Sequence, residues 1–194
     1  MLGSGCVLEP FSRVCSAANL GERVRVGQGA VVGSPPQHLA WKGEAAPCRV
    51  GDGVRIGEYA TVGGGMFGTT VVGDGCFLMA YSHVGHDAEL EHDAILANGV
   101  QLAGHVRVGA CANIGGGTLV HQHVRIGAYA FVAGGIRLEK DVAPWSRAMG
   151  EPPRWAGVNR VGLERAGWSP QRIAAAASSL RVLFRGGLLL EDAL

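Results

Sequence analysis

The sequence predicts a mainly β protein wound as a parallel β-helix, with a short α-helical C-terminal tail. Three observations carry that prediction. Aliphatic residues recur at every sixth position, from Val72 through Leu78, Val84, Leu90, Leu96, Leu102, Val108, Ile114, Val120, Ile126 and Val132 to Leu138, without a break. A small or compact residue stands four places after most of them, as at Cys76, Ser82, Ala88, Ala94, Ala112 and Ala130. Glycine often follows the aliphatic residue directly, as at Gly73, Gly85, Gly109, Gly115 and Gly127. A helix needs apolar residues every three to four positions and a half-buried strand every two. A period of six fits short strands joined by turns, the pattern of hexapeptide β-helix repeats. Three hexads close a triangular coil, so residues eighteen apart stack at the spacing of neighbouring strands, about 4.8 Å.

Taken in order, the chain enters the repeat at once: Leu2, Leu8, Val14, Leu20, Val26 and Val32 are also six apart. No polar cap precedes them, and stacked repeats need covered ends. The first coil is therefore expected to fray or to be covered by another subunit. Residues 33–49 interrupt the period, because Pro35 and Pro36 cannot join an interior ladder. They should form a projecting loop carrying Trp41 and Lys42, and loops on rigid scaffolds commonly carry function. The period resumes at Val50, Ile56 and Val62, then slips again over 63–71, where four glycines permit a tight irregular loop.

The β-helix domain spans 1–143 and a helical region spans 144–194, with Pro144, Pro152 and Pro153 marking the exit from the repeat. A short helix is expected from Asn159 to Ala166. Ser169 followed by Pro170 reads as an N-cap and first helical residue. That helix should run to about Arg185 and end at Gly186-Gly187, with another short helix over Leu188 to Leu194. The tail is too small to fold alone, so it should pack on the solenoid or a neighbouring chain.

A net charge of +1 gives no basic surface for nucleic acid or anionic membranes. The first residues lack the basic and apolar regions of a signal segment. No apolar stretch is long enough to span a bilayer. The five cysteines form no C-x-x-C pair, so reduced thiols in a cytoplasmic protein are expected.

The period also locates chemistry. Val84, Leu102 and Val120 begin stacked hexads, whose third residues are His86, Gly104 and Gln122 and whose fourth are Asp87, His105 and His123. With His83 just before, one face gathers four imidazoles, a carboxylate and an amide. Six of the seven histidines lie between residues 83 and 123.

The segments PQHLAWKGE, AYSHVGHD, ILANGVQLAGHV, IGGGTLVHQ and GVNRVGLERAGWS occur in this order. Together they resemble the UDP-N-acetylglucosamine acyltransferase family of lipid A biosynthesis. The resemblance implies a left-handed parallel β-helix, a helical C-terminal region, homotrimers, and active sites between subunits. It also implies acyl transfer from acyl carrier protein, or coenzyme A, to a small-molecule hydroxyl or amine. No cofactor beyond the acyl thioester and no metal are implied. His86 matches the family's catalytic base, Asp87 the residue that orients it, and Gly104 the position whose N–H meets the oxyanion. His83, His105 and Gln122 match residues lining the substrate site. Gln37, Asn159 and Arg165 match positions that contact the nucleotide-sugar, and Gly134 a position tied to acyl-chain length. His92 and His123 gain no such support and read as structural.

The departures are as specific. His38 and Ala40 stand where the family's loop has Asp and Lys; Gly64 replaces a His, Val161 a Glu, and Ala166 the second Arg of a pair. A hydrogen bond to a charged group is typically worth about 1.5–3 kcal/mol. Several such losses lead to the expectation of a changed acceptor. The unmodified lipid A enzyme and a non-catalytic trimeric scaffold stand as alternatives. A metal enzyme resembling the γ-class carbonic anhydrases is a third, weakened because their H-x-x-x-x-H spacing is absent.

Overall fold

The hexads form three parallel sheets that share one apolar interior. The computed structural model describes residues 1–185, so the expected turn at Gly186-Gly187 and the helix over 188–194 lie outside the described residues. Along the first face Phe77–Leu78 pairs with Ile95–Leu96, then Asn113–Ile114 and Phe131–Val132. Along the second, His83–Val84 pairs with Gln101–Leu102, Leu119–Val120 and Arg137–Leu138. Along the third, Glu89–Leu90 pairs with Arg107–Val108 and Arg125–Ile126. Every partner lies eighteen residues on. The architecture is the mainly β parallel β-helix that the six-residue period predicts.

The register shows why the aliphatic residues recur. In each two-residue strand the second side chain points inward, and Leu78, Val84, Leu96, Leu102 and Ile114 are fully buried. The compact residues at the corners, Ala88, Ala94, Val100, Val106 and Ala112, fill the remaining interior. Burying a leucine-sized side chain contributes about 1.5–3 kcal/mol, so stacked coils rather than long strands supply the core. Four residues separate successive strands, and the third of them is left-handed. It is glycine at Gly75, Gly99 and Gly117, but Asp87 (φ 58°), His105 (φ 62°) and His123 (φ 66°) at the corner between the second and third faces. Asp and His are among the side chains that tolerate this region best.

Both expected interruptions leave the ladder intact. Val32 pairs with Val62 and Val26 with Ile56, thirty residues on, because residues 35–47 loop out. Val62 pairs with Val84 and Val50 with Val72, twenty-two on, because 64–69 make a shorter excursion. At the amino end Met1, Leu2, Leu8 and Phe11 are exposed. At the other end Ser146–Met149 turns back antiparallel with Arg154–Val158. Helix α1 (Arg160–Arg165) is capped by Asn159, whose side chain accepts from the Gly162 N–H. Helix α2 (Pro170–Arg185) begins after Ser169, whose hydroxyl accepts from the Arg172 N–H. Ile173, Ala176 and Leu180 form its buried stripe, packed towards 154–158.

Candidate active site

The corner after His83–Val84 holds an imidazole–carboxylate pair. His86 Nδ1 lies 2.9 Å from Asp87 Oδ2, and the side chains are 14% and 6% exposed. The Asp87 carboxylate also receives backbone N–H groups from Met66 (3.1 Å), Phe67 (3.1 Å) and Gly68 (2.7 Å). Its own N–H donates to Thr70 Oγ1 at 2.8 Å. The 63–71 excursion thus wraps its amides around one carboxylate. Burial pushes the Asp87 carboxyl up, but the His86 hydrogen bond and the three amides outweigh it and hold the pKa below the ordinary value. An ionised carboxylate only accepts, so His86 Nδ1 carries the hydrogen and Nε2 keeps its lone pair.

That lone pair lies against Gly104, one coil on. A methyl group at Gly104 would sit 2.6 Å from both Nε2 and Cε1 of His86. The missing side chain makes room for the imidazole itself. Among the described residues, no acceptor meets the Gly104 N–H. The neighbouring corner shows what such an N–H attracts. At the same turn position, Glu22 N–H donates to Asp52, Asp52 N–H to Asp74 and Ala110 N–H to Glu91, each at 2.8 Å. An anionic oxygen therefore fits the open Gly104 amide.

Imidazoles continue along the corner. His105 stands 5.2 Å from His86, ring to ring and perpendicular, and stacks on His123 at 4.7 Å. His38, from the 35–47 loop, meets His86 edge-on at 5.4 Å, and Phe67 lies 5.7 Å from His38 and 5.8 Å from His105. Burial pushes the His105 pKa down; Asp87 opposes this, but His123, His86 and His38 add to it and the net shift is downward. His83, hydrogen-bonded to Thr61 Oγ1 at 2.7 Å, is also pushed down, by burial first and by His86 second. Sequence reasoning missed His38, Phe67 and the 66–68 amides, and set His123 aside although it stands eighteen residues after His105. Gly64, read as a lost contact, has a packing role: a methyl group there would lie 2.3 Å from the Ala46 carbonyl oxygen. Its absence seats the 35–47 loop against the solenoid.

Of the remaining expected residues, Asn159 and Arg165 lie on the tail rather than with this cluster. Gln37, Gln122 and Arg165 are exposed. Asn159 is engaged with Gly162 N–H and the Tyr129 carbonyl. Gly134 lies at the corner between the first and second faces, stacked on Gly116, whose carbonyl oxygen a methyl at 134 would approach to 2.9 Å.

Donor atoms of His86, Asp87 and His105 lie within 4.8 Å of one another, close enough to share a cation. The Asp87 lone pairs, however, already serve three amides and one imidazole. A metal would have to displace them, so the arrangement suits proton transfer better than metal binding.

Comparison with known proteins converges with this geometry. A family model described as UDP-N-acetylglucosamine O-acyltransferase, domain 2, matches residues 141–194, and one described as bacterial transferase hexapeptide (six repeats) matches 69–104. The acyl-[acyl-carrier-protein]–UDP-N-acetylglucosamine O-acyltransferase of Burkholderia ambifaria is 45% identical over 177 residues, covering 90% of this chain and 68% of that protein. Its namesake from Gloeothece citriformis is 36% identical, over 88% of this chain and 62% of its own. Among solved structures, the UDP-N-acetylglucosamine acyltransferase from Campylobacter jejuni superposes with a TM-score of 0.90 at 30% identity, covering 99% of this chain and 82% of that one. The Arabidopsis UDP-N-acetylglucosamine acyltransferase gives 0.88 at 28% identity, over 99% and 77%. From its hexads to its tail helices, therefore, this chain belongs to the UDP-N-acetylglucosamine O-acyltransferase family and is an acyltransferase.

Proposed function

We propose that the chain moves an acyl group from an acyl carrier protein thioester to the 3-hydroxyl of UDP-N-acetylglucosamine. The observation that carries this is the His86–Asp87 pair, with its free Nε2 beside the open Gly104 N–H. His86 Nε2 takes the proton of the acceptor hydroxyl as its oxygen attacks the thioester carbonyl. The Gly104 N–H receives the oxyanion of the tetrahedral intermediate. Collapse expels the carrier thiolate, which takes the proton back from His86. Asp87 keeps the imidazole in the required tautomer and balances its transient charge. Beyond the acyl thioester the reaction calls for no cofactor.

His83 and His105 line the acceptor side. Gln37, Gln122, Asn159 and Arg165 meet the nucleotide-sugar, and Gly134 the acyl chain, across a subunit boundary in a homotrimer. The place of Asn159 and Arg165 on the tail, away from His86 in one chain, supports that arrangement. The names of relatives 36–45% identical support the unmodified acceptor over the changed one that the substitutions suggest. A changed acceptor remains the second reading, favoured by His38 and Gly64 in the loops around the imidazoles.

Transfer of labelled acyl groups from carrier protein, with UDP-N-acetylglucosamine and other hydroxyl or amine acceptors compared, tests both. His86→Ala is expected to lose about 10²–10⁴-fold in turnover. Full turnover by that variant overturns the assignment. Turnover with another acceptor alone selects the second reading.

A further inference from the structure

One third of a turn beyond His86, the next corner carries a second histidine–aspartate pair. His92 and Asp93 repeat the geometry of His86 and Asp87: Nδ1 to Oδ2 is 2.9 Å in both, and both aspartates are left-handed. The column continues in parallel. Cys111 stands eighteen residues after Asp93 where His105 follows Asp87, and Tyr129 stands where His123 does. Two differences separate the corners. The Ala110 N–H, counterpart of the Gly104 N–H, is already bonded to the Glu91 carboxylate at 2.8 Å. An oxyanion has no place there, so the second pair cannot repeat acyl transfer. Asp93 also lacks the amides that fill Asp87: among the described residues, only His92 donates to it.

What remains is an imidazole, a carboxylate with free lone pairs and a thiol, whose donor atoms lie within 4.8 Å of one another. Cys111 is unpaired with any other cysteine and partly exposed, while His92 and Asp93 are 60% and 62% exposed. Tetrahedral zinc bond lengths place ligand atoms about 3.3–3.8 Å apart, and exposed side chains have the freedom to close to that spacing. Asp52 and Asp74, on the preceding turns of the corner, and Glu91 beside the pair add negative charge. A mixed nitrogen, oxygen and thiolate set favours borderline and soft divalent ions over magnesium or calcium. We propose that His92, Asp93 and Cys111 bind a divalent transition-metal ion of the zinc class, outside the acyl-transfer site, with water completing the shell.

Cobalt(II) titration of the full chain tests this independently of acyl transfer. One ion per chain is expected, with a near-ultraviolet thiolate-to-cobalt charge-transfer band that zinc(II) abolishes by displacement. Cys111→Ser should remove the band. His92→Ala and Asp93→Asn should each weaken binding by about tenfold or more. His86→Asn should leave band and affinity unchanged, and unaltered melting shows that each variant is folded. Absence of the band from the unmodified chain overturns the proposal. So does a band that survives Cys111→Ser, or one that His86→Asn removes.

Discussion

At the scale of single residues, His86 works through what surrounds it. Its ring crosses the Cα of Gly104, which has no positive φ and could accept alanine without backbone strain. Gly104→Ala should therefore push the ring aside rather than unfold the chain. Turnover is expected to fall about a hundredfold, the effect of misplacing a reacting group by roughly 1 Å, with melting nearly unchanged. Kinetics and a thermal melt on one sample check both halves. His83 and His105 titrate below the ordinary imidazole value near 6.5. On acidification the unfolded chain binds these protons first, so folding loses stability as pH drops through that value towards the folded ones. Stability is complete above it. Melting temperature should thus decline from pH 7.5 to 5.5, and His83→Gln should flatten part of the decline. His86, Asp87, Gly104 and His105 were legible because the eighteen-residue period alone stacks them. The amides of Met66, Phe67 and Gly68 were not: they lie where the period slips, and no repeat predicts how a loop folds back. His38 was hidden for the same reason, in a loop whose path depends on Gly64 and Ala46.

Single coils show how little tolerance the interior has. Ser82 is 1% exposed and, among the described residues, its hydroxyl has no hydrogen-bond partner. The matching hydroxyl two coils on, Thr118 Oγ1, donates to the Ala133 carbonyl at 2.9 Å. An unmet buried hydroxyl costs about 1–3 kcal/mol. Ser82→Ala should raise stability by about 1 kcal/mol, seen as a melting increase of about 2–4 °C for a chain of this size. The period told that residue 82 faces inward beside small neighbours, but hydrogen-bond partners depend on the coil above. Helix α2 was readable from end signals: Ser169, Pro170 and the Ile173, Ala176, Leu180 stripe each have a local cause.

The whole molecule has its imidazole cluster at mid-solenoid and Asn159 and Arg165 beyond its carboxyl end. If a trimer brings one chain's tail to another chain's His86, two defective chains can repair each other. Mixing His86→Ala with a chain carrying Asn159→Ala and Arg165→Ala should restore part of the activity that each lacks alone. Sedimentation equilibrium of the unmodified protein should give three times the 20.1 kDa chain mass. Activity that never rises above that of the separate variants refutes shared sites. Nothing in one chain's periodicity could reveal such sharing, since hexads specify stacking within a coil and are silent on what lies across a face.

The constant register has a last consequence. Between Phe77 and Leu138, paired strands lie eighteen residues apart on all three faces. An insertion or deletion of one complete coil would preserve every pairing rule while translating all that follows by about 4.8 Å. The gap between the imidazole cluster and the tail therefore changes in whole notches, like a ratchet, and any rod-shaped molecule lying along the axis is gauged in those increments.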